Sequence, residues 1–138
     1  MNMKILRGTI FGGIAFFLLG WLVWGILLMD FYSTAMNQCA QRPENEMVWW
    51  SLILSNLISA MFLTLVLKWS GAKSIVDGLK TGAVFGFLYA AGIDFSYWSM
   101  TTMISGMGAL FVDIIVNTAF MSLVGMIIVL TWGKEKNV

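Results

Sequence analysis

The stretch GALFVDIIVNTAFMSLVG, residues 108–125, puts Asp113, and Asn117 one turn later, into a run otherwise suited to hydrocarbon. On insertion scales a carboxylate at the centre of a membrane helix costs roughly 2.5–3.5 kcal/mol, and such groups face protein or trapped water. No lysine or arginine lies at a matching depth. The Asp113 carboxyl is therefore protonated, hydrated in an outward-opening cavity, or bound to a cation. Asn56 in LILSNLIS, with Ser55 and Ser59 beside it, is placed at a comparable depth, and Asp94 in GIDFSYW is a second carboxylate. Asp113, Asn117, Asn56, Asp94, Ser55 and Ser59 form the candidate binding set. A plainer reading competes with it. Ser55, Asn56, Ser59, Thr118 and Ser122 are also residue types that join helices in lipid, at about 0.6 kcal/mol per hydrogen bond. Asp30 and Asp94 read as helix-end carboxylates solvated near the headgroups, so Asp94 is expected to matter less than Asp113.

Other chemistries find no residues to carry them. The chain has no histidine and one cysteine, Cys39, which removes the common zinc sites, axial-histidine haem ligation and intramolecular disulfides. There is no phosphate-cradling glycine loop and no Ser/His/Asp set, and no cofactor, metal or catalytic residue is assigned. The one enzymatic reading left is an intramembrane aspartyl peptidase, in which Asp94 and Asp113 would share a proton and activate water; the chain contains no GxGD sequence.

The elements that position these residues follow from composition. Of 138 residues, 59% are hydrophobic and 11% charged, against about 25% charged in an ordinary soluble domain; the mean hydropathy is +0.86. Such a chain cannot solvate its own surface. Four apolar runs, at about 8–29, 48–67, 78–98 and 104–132, are each near or above the roughly 20 residues that cross a bilayer. The breaks between them hold polar or helix-ending residues: CAQRPENE with the only proline, KWSGAKS, and SMTTMISG. The prediction is an all-α integral membrane four-helix bundle, one domain over 1–138. Lys4 and Arg7 resemble the start of a signal peptide, but the first apolar run exceeds the usual 7–15 residues and no A-x-A-like site follows it. It is read as a helix.

Orientation follows from the basic residues. With four crossings, Lys4, Arg7, Lys68, Lys73, Lys80, Lys134 and Lys136 share one side and Arg42 alone lies on the other. That bias predicts cytoplasmic N- and C-termini in an inner (cytoplasmic) membrane. Counted from the outer side at 1.5 Å per residue, Asp113 lies roughly 10 Å down, Asn56 roughly 12 Å and Asn117 roughly 16 Å. The basic flanks form no nucleic-acid stripe, and their only predicted partners are membrane lipids.

Glycine supplies the packing logic. Gly78, Gly82, Gly86 and Ala90 recur at i+4, a small-residue ridge that lets a second helix approach closely. Each i+4 step turns about 40° around the helix axis, so Asp94 is predicted to face well away from Gly78.

The segments GGIAFFLLGWLVWGILLMDF, EMVWWSLILSNL and GALFVDIIVNTAF resemble a group of small bacterial four-helix inner-membrane proteins designated only as a domain of unknown function. The resemblance implies a four-helix membrane fold and brings no activity, ligand or catalytic residue with it. Three functional readings stand: a homo-oligomer binding or conducting a cation, proton or small cationic molecule at Asp113; an accessory subunit packed against a partner membrane protein; and the peptidase.

Overall fold

The computed structural model describes residues 2–133; Lys134 and Lys136, used in the orientation argument, lie outside them. Regular structure among the described residues is helical. Helix α1 (Met3–Leu22) runs into a π-helical turn (Val23–Leu27), and after Leu28 a short α2 (Met29–Ala35) follows. Two single 3-10 turns (Gln38–Ala40 and Glu44–Glu46) lead into α3 (Trp49–Trp69), then α4 (Ile75–Met100) and α5 (Met107–Trp132).

Local chemistry accounts for the ends. The Asn2 side chain accepts the Lys4 amide at 2.9 Å and starts α1. Ser74 and Asp77 form a reciprocal capping box that starts α4. Gly71 and Gly133 adopt positive φ, 74° and 72°, which a side chain would resist, and close α3 and α5. The first apolar run is less regular than its composition predicts. It breaks at Leu28, where the backbone leaves the helical region (φ −114°, ψ 14°) with neither proline nor glycine at that position.

Three helical stretches are long and apolar enough to cross a membrane: Met3–Leu27, Trp49–Trp69 and Met107–Trp132. Helix α4 is as long as α5 but carries Asp77, Lys80 and Asp94, and is not among them. The long helices pack in the order α3, α1, α5, α4, and α4 against α5 is the most extensive contact. Many of their outward positions are apolar and exposed, including Phe11, Ile14 and Leu18 on α1, Ile58 on α3 and Ile115 on α5. This is the surface of a body whose solvent is hydrocarbon.

The core has two parts. Leu63, Leu67, Val124 and Ile128 are fully buried where α1, α3 and α5 meet. A smaller cluster of Ala90, Ile104, Leu110 and Ile114 closes the other end of the α4–α5 pair. At that end the chain is pinned across itself: Met36 and Ile104 form an isolated antiparallel bridge.

Candidate functional site

The glycine ridge of α4 is spent on α5. A Cβ added to Gly78 would stand 2.7 Å from the Gly125 carbonyl oxygen, and one on Gly82 would collide with the Met121 carbonyl. One on Gly86 would stand 2.8 Å from the Asn117 carbonyl. Steps of four along α4 thus meet steps of four along α5, through Gly125, Met121 and Asn117. The next member of the α5 row is Asp113. On α4 the row continues through Ala90 to Asp94, and all five positions from Gly78 to Asp94 are buried. The expectation that Asp94 faces away from Gly78 fails because α5 follows the i+4 ridge around α4, as close-packed small-residue helix pairs do.

This register brings two carboxyls together. Side chains on a helix lean toward its N-terminus. In an antiparallel pair Asp94 therefore leans back toward Ala90 along α4, and Asp113 leans the opposite way along α5, toward Asp94. The two carboxyls lie within hydrogen-bonding reach of each other. Asp94 is 6% exposed and Asp113 8%. Asp94 is thus not the solvated helix-end carboxylate expected, because α4 continues to Met100 with α5 packed along it. Its Oδ2 is shut off from solvent with no hydrogen-bond partner. Buried polar atoms are nearly always satisfied, so an orphaned carboxyl oxygen needs an occupant. A proton on either acid would supply the missing donor, and a bound cation would replace it.

A third group was not legible as part of the site. The Tyr32 hydroxyl donates to Asp113 Oδ1 in a short hydrogen bond. Burial first, and the Asp113 hydrogen bond second, push the phenol's ionisation well above its ordinary value of 10.0. Tyr32, which lies beyond the first apolar span, therefore stays a donor. Its ring meets Trp24 edge-on at 6.4 Å, and Trp24 packs in turn on Phe120 at 4.8 Å.

The remaining candidates are not brought to this pair. Asn117 turns its amide to the Asp113 backbone carbonyl at 2.9 Å. Asn56 donates to its own helix at Leu52 O, 2.8 Å. With Gly13, Ile14, Phe17 and Leu57 it lines a groove of about 230 Å³ between α1 and α3. Ser55 is exposed and Ser59 half-buried on the same helix, which meets α4 farther along, at Phe62 and Phe85 with ring centroids 5.1 Å apart. Ser122 is the polar residue that joins helices, donating to Leu79 O across the α4–α5 contact at 2.9 Å; Thr118 bonds within its own helix.

No protein-family model, curated protein or solved structure matches this chain.

Proposed function

We propose that the chain is a multi-pass protein of the bacterial inner membrane, with α4 as a fourth crossing and both ends cytoplasmic, and that its Asp94–Asp113 pair binds and passes a small cation, the proton included. The orphaned Asp94 Oδ2 beside a second buried carboxyl is the observation that carries this reading. No lysine or arginine occurs between Lys80 and Lys134, so neutralisation must come from a mobile positive charge. The long α4–α5 contact supports the fourth crossing, since a helix packed along a spanning helix shares its environment. The basic-residue bias supports the orientation. Membership of the four-helix group of unknown function belongs to the same proposal and rests on the three quoted segments. A homo-oligomer is proposed because four short helices rarely enclose a pathway alone.

The accessory-subunit reading is weakened by one finding. The ridge of Gly78, Gly82 and Gly86 that would seat a partner is already filled by α5. The peptidase reading gains from the carboxyl pair, which is the acid–base arrangement hydrolysis needs. It ranks second because the Tyr32 phenol occupies Asp113 Oδ1, an acceptor that the attacking water would use.

The test is a proteoliposome binding and flux scan over monovalent cations and pH. Asp94→Asn and Asp113→Asn should each abolish the signal, and to the same extent, contrary to the smaller role for Asp94 expected from sequence. Unchanged binding and flux in both variants would return the chain to the accessory-subunit reading. Cleavage of a model transmembrane peptide, lost in both variants, would establish the peptidase instead.

A further inference from the structure

The carboxyl pair is covered on one side by a strap. Helix α2 has seven residues and leaves the first apolar run at Leu28, whose amide closes the π-helical turn onto Val23 O at 2.8 Å. Beyond α2 the strap is held by two backbone bonds to the α4–α5 connection: Asn37 N to Met103 O at 2.7 Å and Ser105 N to Ala35 O at 2.9 Å. Ala35 and Ile104, each 5% exposed, are buried at this junction. Between hinge and junction sits Tyr32, half-buried, with its hydroxyl on Asp113.

Resting on the cation-binding reading above, we infer that residues 28–37 are the outer gate of the carboxyl pair, with Tyr32 as its latch: the phenol must leave Asp113 for a cation to enter from that side. Three features converge on this. The latch donor occupies Asp113 Oδ1, while Asp94 Oδ2 behind it has no partner, so the site is both closed and incomplete. The strap is tied by an isolated bridge rather than a helix-length contact, and short ties open at lower cost than the packed helices around them. The break at Leu28 already departs from helical geometry and can absorb a rotation without unwinding α1. Entry exchanges the phenol's hydrogen bond for the positive charge of the cation, so the pair is never left without a partner.

The test locks the strap. Met36→Cys with Ile104→Cys, in a Cys39→Ser background, places two thiols across the antiparallel bridge, where opposed side chains come close enough for a disulfide. The readout is the labelling rate of Asp94 and Asp113 by a water-soluble carbodiimide applied from outside, mapped by mass spectrometry. The oxidised protein should label several-fold more slowly than the same sample after reduction, which removes folding as a variable. Tyr32→Phe, which keeps the ring on Trp24, should label faster than wild type. Equal rates before and after reduction, or no gain in Tyr32→Phe, would overturn the gate; so would a cysteine pair that does not crosslink, since the strap would not lie where the bridge puts it. If the lock slows labelling while neither aspartate variant changes flux, the gate stands and the transport reading falls.

Discussion

Gly78 and Gly125 meet backbone to backbone: a methyl group on Gly78 would stand 2.7 Å from the Gly125 carbonyl oxygen. Contact this close is open only to glycine, and it fixes the register in which Asp94 reaches Asp113.

Substitution along the ridge should therefore split by position. Gly82→Leu drives a side chain into the Met121 backbone, which cannot rotate away as a side chain can, and should cost at least the roughly 1–3 kcal/mol of ordinary overpacking. Gly92→Ala on the same helix meets nothing within 4 Å. It should be neutral or stabilising by up to about 1 kcal/mol from helix propensity. Thermal unfolding in mild detergent measures both, and equal melting temperatures would mean that α5 does not pack on the ridge.

Cys39, the single cysteine, is exposed in the connection between α2 and α3. With the N-terminus cytoplasmic it should react with an impermeant thiol reagent added to intact cells. In inverted vesicles it should not. The opposite pattern would reverse the orientation and move the gated end of the site to the cytoplasm.

The start of α4 should give a pH-dependent stability. The backbone amides of Lys73 and then Ser74 donate to Asp77 at 2.9 and 3.0 Å and hold its carboxyl below the ordinary 3.8. A depressed folded value contributes stability that is present above the unfolded value and lost as pH falls through the folded one. Asp77→Asn should thus lower the melting temperature at neutral pH, with the difference vanishing in strong acid. A difference that persists unchanged in acid would mean that Asp77 acts through packing rather than charge.

Much of this arrangement was legible in the residues. The last three apolar runs sit within a few positions of α3, α4 and α5, and the depth read for Asp113 marked it as the residue to explain. The pairing of Asp94 with Asp113 had a signal too: antiparallel rows through Gly78, Gly82, Gly86 and Gly125, Met121, Asn117 lead to both acids. Treating α4 as a straight isolated helix hid it, because the partner's path sets which face is buried. Tyr32 left no such mark. It stands 81 residues from Asp113 in the chain, and in WGILLMDFYST it reads as an ordinary interfacial tyrosine, since the break at Leu28 has no proline or glycine of its own to signal it. Asn56 misled for the opposite reason. Its depth matched that of Asp113, but depth does not report which neighbour a helix face meets, and Asn56 faces the groove between α1 and α3.

On the proposed function, Asp94 and Asp113 act as one unit with a single exchangeable positive charge. Infrared spectroscopy of the reconstituted protein tests it most directly, through the C=O stretch of a protonated carboxyl. For two buried carboxyls in contact, one must carry a proton or a bound cation must replace it. Wild type without added metal cation should show one such band at neutral pH, exchangeable in deuterated water and shifted when a transported cation is added. Asp94→Asn and Asp113→Asn should each move the band to a different frequency, because the remaining acid then faces an amide instead of a carboxylate, and the double variant should lose it. No protonated-carboxyl band in the wild type, or one left unmoved by either single variant, would contradict the shared site.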